Sequence, residues 1–581
     1  MSISSATGWP AISVADAYAR LTAAGSPFET ALRPVRGQLL KTWAKGPQTM
    51  RDVLGRVREH GDRTFIVLED ERVSYGDFHK AVAQLAAAFV EMGVEPGDRV
   101  AVTMRNLPEW PVTVCAAIAI GAIATPLNAW WSREELVYGL KDSGAKVAIF
   151  DPERLERVAG DLAGLPDLDH VMVARGEGAA PLETLIGPVA GWASLPDADL
   201  PPIDALGAEM DPDSAATLFY TSGTTGKPKG AVGSHRAFTS NILTQQFVAA
   251  RAFLRRGETM PARPANAPQR ATLLAVPLFH VTGFSAILTP LMFNGDKLVL
   301  MRRFDAGQAL ALIERERIST AGGVPAIAWQ LVDHPDREKY DLSSLERVAY
   351  GGAPCPPELS RRVREVWPHA APSAGWGMTE TCAVFANNTA EDYLAKPDSC
   401  GPPTPLGEWK VMRPDGTEAP TGEVGELWVR GCTVAIEYWN NPAATEETFG
   451  GGWLKTGDLA RLDEEGFAYI VDRAKDMLIR GGENIYCIEV ENLLAEHPAV
   501  DEAALIGLPH RTLGEEPGAI VRLREGGAAD EAELRAFVAS RLAGFKVPVR
   551  VFFAGEPLPR NANGKLIKAE LRERFAQSEP A

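Results

Sequence analysis

Residues 220–230 of the chain read YTSGTTGKPKG. The stretch follows the apolar run 215–220, which predicts a buried β-strand, and open α/β sheets bind ligands where their strands end. Glycines let the backbone approach an anion closely, while N–H groups, hydroxyls and the side chains of Lys227 and Lys229 can contact its oxygens. The stretch therefore predicts a cradle for a polyphosphate.

This loop differs from a Walker A loop. Thr221 stands where the first glycine belongs, and Pro228 occupies the place of the Ser or Thr that follows the lysine. Proline there prevents a helix from starting at once, so no helix N-terminus would contact the phosphates. On this stretch alone, a flexible polar surface turn is an equally good interpretation.

The composition is that of an ordinary globular protein, with 45% hydrophobic and 23% charged residues. At 581 residues the chain is too long for one hydrophobic core, so we expect two or more domains. Acidic residues outnumber basic ones by 76 to 59, which gives a formal net charge of −17. This charge argues against nucleic-acid binding, and any polyanionic ligand has to meet a local basic site.

Cysteine usage and the first residues bear on the cellular compartment. The six cysteines are scattered without a CxxC pair, which argues against a disulfide framework and a structural zinc site. The N-terminus lacks the pattern of a signal peptide. The longest apolar run, 112–127, is too short for a bilayer and predicts a buried helix followed by a strand. We expect a cytoplasmic protein without a transmembrane segment.

Helical and strand patterns alternate along most of the chain. At 75–102, 134–150 and 309–322, an amphipathic helix pattern is followed by a short apolar strand. Such alternation predicts an α/β fold with mainly parallel sheets covered by helices. The pattern changes near residue 472, and the remainder is long enough for a small α+β domain, with a helix predicted at 530–542.

Seven further motifs follow the loop. In chain order they are PLFHVTG (277–283), YGGAP (350–354), GWGMTE (375–380), WLKTGD (453–458), DRAKD (472–476), GGENIY (481–486) and PRNANGK (559–565). With the loop, they resemble the signatures of the adenylate-forming superfamily, which includes acyl-CoA synthetases, adenylation domains of nonribosomal peptide synthetases and firefly-type luciferases. The resemblance covers about residues 51–571.

The resemblance implies a domain organisation and a reaction. It divides the chain into an N-terminal extension (1–45), a large N-terminal domain (46–472), a hinge (473–476) and a small mobile C-terminal domain (477–581). Family members activate a carboxylic acid with ATP and Mg²⁺ to give an acyl-adenylate and pyrophosphate, and then transfer the acyl group to a thiol. It therefore implies ATP, Mg²⁺ and coenzyme A.

The resemblance also assigns catalytic roles. Lys565 matches the family's adenylation lysine, which would bridge the acid and the α-phosphate and favour the transition state. Glu380 resembles the magnesium ligand, and Thr379 a hydroxyl that contacts phosphate. His280 matches a histidine near the acyl carboxylate. Without the motifs, these residues would be interpreted as a surface lysine, a helix-capping acid and a core histidine.

Other motif residues are implied to bind the nucleotide. Asp458 resembles the carboxylate that accepts from both ribose hydroxyls, Arg473 resembles its partner, and Trp376 stands where relatives stack an aromatic ring on adenine. A buried core tryptophan is the alternative for Trp376. The remaining residues assigned to ATP or AMP are Thr221, Ser222, Gly223, Thr224, Thr225, Gly226, Lys229, Gly352, Ala353, Pro354 and Gly377.

The hinge and the thiol acceptor follow from the same resemblance. Relatives rotate the small domain about one residue, which Lys475 matches, and Gly481 and Gly482 would then face the tunnel of the thiol arm. Free coenzyme A is the expected acceptor, because no carrier domain follows Lys565. An acyl-AMP ligase that serves a separate carrier protein remains an alternative.

The predicted acyl pocket is largely apolar. Its residues are His280, Phe284, Val324, Tyr350, Met378 and Ala383. This lining predicts a hydrophobic acid, either a medium- or long-chain fatty acid or a bulky aryl-alkanoic or steroid-type acid. Two other function classes stay open: a kinase or NTPase, which would release ADP or phosphate, and a non-catalytic nucleotide-binding protein, which would tolerate loss of Lys565.

Some features lie outside the motifs. The segment 251–270 holds five arginines and is interpreted as a solvated insert, with binding of the 3′-phosphate of coenzyme A as the alternative. Residues 9–45 could form a dimer arm, which would leave a homodimer open, or a clamp on the large domain. Ala374 and Asp472 depart from the commoner Asn or Gln and Gly at their places in the motifs, and the effect of Asp472 is open.

Overall fold

The computed structural model describes residues 9–207, 209–221, 227–264, 266–352, 357–474, 476–481, 483–561 and 565–576, without the side chains of residues 383, 575 and 576. The strands are β1 Thr30–Val35, β2 Gln38–Trp43, β3 Thr64–Leu68, β4 Glu71–Ser74, β5 Arg99–Thr103, β6 Ile123–Pro126, β7 Ala145–Phe150, β8 His170–Val173, β9 Ala180–Pro181, β10 Ala215–Thr221, β11 Lys229–Ser234, β12 Ala271–Leu274, β13 Lys297–Leu300, β14 Thr320–Gly323, β15 Arg347–Gly351, β16 Ala371–Met378, β17 Ala383–Thr389, β18 Gly407–Met412, β19 Gly425–Gly431, β20 Leu454–Leu462, β21 Ala468–Arg473, β22 Leu478–Arg480, β23 Glu483–Ile485, β24 Val500–His510, β25 Gly514–Leu523 and β26 Arg550–Phe553. The helices are α1 Val14–Leu21, α2 Met50–Glu59, α3 Tyr75–Glu91, α4 Glu109–Ala119, α5 Arg133–Ser143, α6 Pro152–Val158, α7 Glu183–Ile186, α8 His235–Arg255, α9 Thr289–Asn294, α10 Ala306–Glu316, α11 Pro325–Val332, α12 Pro357–Val366, α13 Ala390–Ala395, α14 Pro442–Phe449, α15 Cys487–Ala495, α16 Glu531–Ala539 and α17 Lys568–Ala576.

Two mainly parallel sheets form the body of the large domain. The first has the order β11-β10-β6-β5-β7-β8-β9, in which β10 and β11 pair antiparallel. The second has the order β17-β16-β15-β14-β12-β13-β3-β4 and is parallel except at its two outer pairs. The expected α/β architecture with mainly parallel sheets is confirmed.

Helices fill the space between these two sheets. Every residue of α4 is buried, and one apolar cluster includes Ile118 of this helix, Val100 of β5 and Leu274 of β12. The apolar run 112–127 thus divides between α4 and β6, since a helix buried on all sides has no polar face. Among the described residues, none of the helices is both long and apolar enough to cross a membrane.

The sequence pattern did not predict a third sheet in the large domain. Strands β18, β19, β20 and β21 pair antiparallel in that order. The smaller C-terminal domain follows and is α+β, with β23-β22-β25-β24 antiparallel and β26 parallel to β25. Its predicted helix at 530–542 is α16, which buries Leu534 and Val538. The boundaries at 45, 472 and 476 stay predictions.

The N-terminal segment packs onto the large domain. Helix α1 and the β1-β2 hairpin lie against α8, where Phe28 and Trp43 share an apolar cluster with Phe247. The Trp43 indole donates to the carbonyl of Ser240 at 3.0 Å, and Arg36 donates to the carbonyl of Val434 at 2.8 Å. These contacts are those of a clamp on the large domain.

The structure contradicts a coenzyme A role for Arg251 and Arg255. Both lie at i and i+4 on α8, and each side chain is only 1% exposed. The Arg255 guanidinium donates to the carboxylate of Asp392 at 2.9 Å and pairs with Glu465 at 3.1 Å. The Arg251 guanidinium donates to the carbonyl of Asn387 at 2.8 Å. Burial against protein acceptors leaves neither group available to a ligand phosphate.

Replacing Arg255 with methionine should destabilise the fold without changing the KM for coenzyme A. The buried Asp392 carboxylate would lose its nearest partner, which typically lowers the free energy of unfolding by about 3–5 kcal/mol. Urea unfolding would measure this loss, and Arg270→Met provides the control, because that arginine is 53% exposed and pairs with an exposed glutamate. A raised KM for coenzyme A in a stable Arg255→Met enzyme would contradict the structural role.

Candidate active site

The carboxyl ends of neighbouring parallel strands bring the predicted site residues to one edge. Strands β16, β15, β14 and β12 are adjacent in the second sheet. His280 follows β12, Val324 follows β14, Gly352 follows β15, and Thr379 and Glu380 follow β16. This edge is where open α/β sheets bind ligands, so the topology explains why distant motifs form one site.

Asn106, which the sequence reasoning missed, links the two sheets at this edge. It follows β5 of the first sheet and is 6% exposed. Its carbonyl oxygen accepts from the Leu278 N–H at 2.9 Å, and its amide donates to the Val276 carbonyl at 3.1 Å. These bonds fix the segment that leads to His280. A polar residue directly after a buried strand was the available signal.

His280 presents an unsatisfied nitrogen. Its Nε2 is buried and has no hydrogen-bond partner in the part of the chain that the structure describes. Burial, followed by the positive charge of Lys565, lowers the pKa of His280 to about 3. The imidazole is therefore neutral at pH 7, and Nε2 is a polar group that a ligand can satisfy.

Lys565 lies on a hydrogen-bonded turn of the small domain. Its backbone N–H donates to the side chain of Asn561 at 3.0 Å, and the Asn561 N–H donates to the Lys565 carbonyl at 2.8 Å. Arg560 anchors the same turn through its ion pair with Glu502 at 2.8 Å. The positive charge of Lys565 is the second cause, after burial, that lowers the pKa of His280.

Glu380 is held by a tyrosine that the sequence reasoning also missed. The carboxylate is 6% exposed and accepts from the Tyr438 hydroxyl at 2.6 Å. Burial, and then the adjacent Glu380 charge, raises the pKa of Tyr438, which keeps this hydroxyl a donor. The Lys229 ammonium lies 5.0 Å from the centre of the Tyr438 ring. Tyr438 thus connects the phosphate-loop strand with the predicted metal ligand.

The donor set around Glu380 fits Mg²⁺. Within the described ranges, no group of three or more His, Cys, Asp or Glu side chains could hold a metal ion by itself. Mg²⁺ is commonly bound through one or two carboxylates together with substrate phosphates and water. A single oriented carboxylate beside the phosphate-loop strand therefore suits this ion when a nucleotide is bound.

Asp458 is oriented by two donors. The Trp376 indole donates to one oxygen at 2.9 Å, and Arg473 pairs with the other at 3.1 Å. Both contacts place Arg473 and Trp376 beside the predicted ribose ligand. The sequence predicted that the Trp376 ring stacks on adenine; the structure adds a hydrogen bond that fixes the position of its edge.

The strands on either side of the predicted phosphate loop, β10 and β11, form an antiparallel pair. Thr221 ends β10 and pairs with Lys229, which begins β11, while Ser222, Gly223, Thr224, Thr225 and Gly226 lie outside the described residues. Gly352 has φ 76°, and a Cβ there would meet no atom within 4 Å, so open space lies beside it. Gly377 is partly exposed in β16. Ala353 and Pro354 lie outside the described residues.

One predicted pocket residue lies in the core. Phe284 is fully buried and packs against the rings of Phe238 at 5.2 Å and Phe219 at 5.8 Å, and its place in the acyl pocket stays a prediction. Tyr350 is 4% exposed, and Val324 and Met378 are partly buried. The side chain of Ala383 lies outside the description.

The residues assigned to the hinge and thiol tunnel are less fully described. Lys475 and Gly482 lie outside the described residues. Gly481 has φ 59°, and its N–H donates to the Leu513 carbonyl at 2.8 Å. Its role in a tunnel stays a prediction.

Two buried histidines predict acid sensitivity. Burial lowers the pKa of His280 to about 3 and that of His235 to about 4, whereas an unfolded histidine titrates near about 6.5. Below that pH the unfolded chain binds more protons than the folded protein. The free energy of unfolding should therefore decrease as the pH is lowered, by at most about 1.4 kcal/mol per pH unit for each histidine. Urea unfolding between pH 7 and 5 would show this slope. His280→Gln should reduce it, whereas His510→Gln, at a partly exposed histidine, should leave it unchanged.

Glu380 and Asp458 are both buried carboxylates held by specific donors, an arrangement suited to a metal-bound nucleotide. With the fold, this arrangement defines an adenylate-forming enzyme. Residues 55–439 match the model of the AMP-binding enzyme family, and residues 489–565 match the AMP-binding enzyme C-terminal domain, so the chain belongs to this family.

Individual relatives with known names support the same family assignment. A feruloyl-CoA synthase of Amycolatopsis sp. is 36% identical over 503 residues, which cover 87% of this chain and 94% of the relative. The medium/long-chain-fatty-acid–CoA ligase FadD8 of Mycobacterium tuberculosis is 34% identical over 541 residues, covering 90% and 89%. The o-succinylbenzoate CoA synthetase of Bacillus subtilis, solved with its acyl-adenylate intermediate, superposes with a TM-score of 0.73 at 29% identity, covering 91% and 98%. The chain is an AMP-forming acid–thiol ligase of the acyl-CoA synthetase type.

Proposed function

We propose that the enzyme joins a hydrophobic carboxylic acid to coenzyme A through an acyl-adenylate. The observation that carries this proposal is the pair of oriented carboxylates, Glu380 held by Tyr438 at 2.6 Å and Asp458 held by Trp376 and Arg473, in a chain that belongs to the AMP-binding enzyme family. In the first step, a carboxylate oxygen of the acid attacks the α-phosphorus of ATP, and the bond to pyrophosphate breaks. In the second step, the thiol of coenzyme A attacks the acyl carbon, and AMP leaves.

Individual side chains have separate tasks in these steps. Lys565 would stabilise the charge that develops between the acid and the α-phosphate. Asp458, oriented by Trp376 and Arg473, would accept from the ribose hydroxyls. Glu380 would hold Mg²⁺, which neutralises phosphate charge when bound. Lys475 remains the proposed hinge residue for the rotation that removes Lys565 before the thiol enters.

The pocket supports a substrate with an apolar tail. Among its predicted residues that the structure describes, His280 is neutral, and Val324, Tyr350 and Met378 carry no charge at pH 7. An uncharged wall would penalise a second carboxylate, which would have to give up its hydration. The names of two relatives, a feruloyl-CoA synthase and a medium/long-chain-fatty-acid ligase, support the same range of acids. We propose a fatty acid of medium or long chain, or a bulky aryl-alkanoic or steroid-type acid.

An assay of pyrophosphate release across a panel of acids tests the proposal. The panel contains octanoate, palmitate, an arylpropanoate and a steroid-type side-chain acid, with succinate as a matched charged control, each with and without coenzyme A. We expect AMP, pyrophosphate and an acyl-CoA from at least one apolar acid and none from succinate. Pyrophosphate without acyl-CoA would indicate a separate carrier protein as the acceptor, and turnover of succinate in preference to all the apolar acids would overturn the proposed substrate class.

A further inference from the structure

Asp472 connects the large domain to the first helix of the small domain. It lies near the end of β21 and is 1% exposed. One carboxylate oxygen accepts from the Arg473 N–H at 2.7 Å, and the other accepts from the N–H of Cys487, the first residue of α15. The N-cap residue of α15, Tyr486, provides no side-chain cap. A helix N-terminus has unsatisfied N–H groups, and here Asp472 satisfies one of them from outside the small domain.

The same helix is tied to the turn that holds Lys565. Glu491 lies one turn beyond Cys487 on α15 and forms an ion pair with Lys568 at 2.7 Å, with both side chains about nine-tenths buried. Glu491 also accepts from the Leu505 N–H at 2.8 Å, which fixes it to β24. Lys568 begins α17, three residues after Lys565. A continuous path of contacts therefore joins Asp472, α15 and the Lys565 turn.

We call the contacts among Asp472, Cys487, Glu491 and Lys568 the junction. Charges and a thiol stabilise it further. Burial raises the pKa of Asp472 to about 6, whereas the charge of Lys568 lowers it, so the two groups attract each other across the junction. The Cys487 thiol donates to the Asp476 carbonyl at 3.1 Å, which holds the chain just beyond the predicted hinge residue. The junction is thus fixed on both sides of position 475.

We propose that Asp472 is a positioning residue that holds the small domain in the arrangement in which Lys565 reaches the acyl pocket. The proposal rests on the two-step function proposed above, because only adenylate formation needs Lys565 in place. Rotation about the hinge would carry Cys487 away from Asp472 and break the contact. Loss of the carboxylate therefore disfavours the arrangement for adenylation and leaves the arrangement for thioester formation unaffected.

The test separates the two half-reactions in the full-length enzyme. Adenylation is measured as pyrophosphate release with an accepted acid, and thioester formation is measured with synthetic acyl-AMP and coenzyme A. In Asp472→Ala, we expect adenylation to slow about tenfold, the magnitude of a lost hydrogen bond to a charged group, with an unchanged KM for ATP. Thioester formation should be unchanged or faster. Equal losses in both half-reactions, or no loss in adenylation, would overturn the proposal.

Two matched variants distinguish positioning from general damage. Asp530 caps α16 by accepting from the Glu533 N–H at 2.8 Å, entirely within the small domain, so Asp530→Ala removes the same chemistry without crossing the junction. We expect both half-reactions of Asp530→Ala to stay within about twofold of the wild type, because such surface caps act on local stability. Asp472→Asn keeps an acceptor oxygen and should restore most of the adenylation rate, which also covers the case of a poorly folded alanine variant.

Hydrogen exchange provides a readout that does not depend on turnover. In Asp472→Ala, the peptides that contain Cys487 and the 559–567 segment should exchange faster, while peptides of the large-domain sheets stay unchanged. Unchanged exchange at both segments would contradict the proposal even if activity falls. If the wild-type enzyme releases no pyrophosphate with any acid, the proposed function fails, and the exchange data still decide whether Asp472 holds the junction.

Discussion

Replacing Lys565 with alanine is expected to slow acyl-adenylate formation by about 100- to 1,000-fold, the effect of removing one group that stabilises developing charge. Its positive charge contributes to the lowered pKa of His280, and a charge shielded from water is worth more than the same charge in water. Pyrophosphate release with an accepted acid measures the effect. The acylation of coenzyme A by supplied acyl-AMP should change little, because Lys565 has no role in that step.

A second lysine provides the control. Lys546 also lies in the small domain and pairs with Glu489 at 2.6 Å, away from the pocket. Lys546→Ala removes the same charge and should retain normal adenylation. If Lys565→Ala kept its normal rate of AMP production, the assignment of Lys565 would be wrong. A comparable loss in both alanine variants would point instead to a general effect of charge on the small domain.

Replacing Glu380 with glutamine is expected to lower kcat/KM for MgATP by about 100-fold, since a metal ion contributes several kcal/mol of charge stabilisation. Glutamine keeps an oxygen that can accept from Tyr438, so the fold around the 2.6 Å hydrogen bond should survive. The measurement is turnover as a function of Mg²⁺ concentration, and the variant should require more of the ion.

Two companion variants sharpen the result. Tyr438→Phe removes the hydrogen bond but leaves the carboxylate, so its loss should be smaller, about tenfold or less. Glu391→Gln changes a glutamate on α13 whose carboxylate is already paired with Arg256 at 2.9 Å, and should keep the normal Mg²⁺ dependence. Normal turnover and normal Mg²⁺ dependence in Glu380→Gln would show that another group holds the cation.

Much of the fold could be predicted from local patterns. The alternation of apolar strands and amphipathic helices specified parallel sheets, because strands covered on both faces are apolar throughout. Lys565, Glu380 and Asp458 were assigned through the resemblance of their motifs to those of a known family, and their roles stay predictions. The antiparallel third sheet was missed, since strands such as β19 carry both polar and apolar residues and their pairing depends on distant partners.

The contacts that orient these residues could not be predicted in the same way. Tyr438 donates to a carboxylate 58 residues earlier in the chain, and Asn106 accepts from a backbone N–H 172 residues later. Phe284 directly follows the motif at 277–283, and the sequence does not reveal that its ring packs against Phe238 and Phe219. From the sequence, Arg251 and Arg255 are expected to be exposed to solvent. The helix instead directs both side chains toward the buried carboxylate of Asp392.

The N-terminal clamp limits how far this enzyme can be trimmed for laboratory use. Removing the residues before residue 55, where the family match begins, would keep every predicted site residue. It would also strip the cover from Phe247 and Ala250, which are now buried against Phe28 and Trp43. An exposed apolar patch of this kind favours aggregation. We therefore expect the N-terminal segment to limit aggregation of the enzyme by covering this surface.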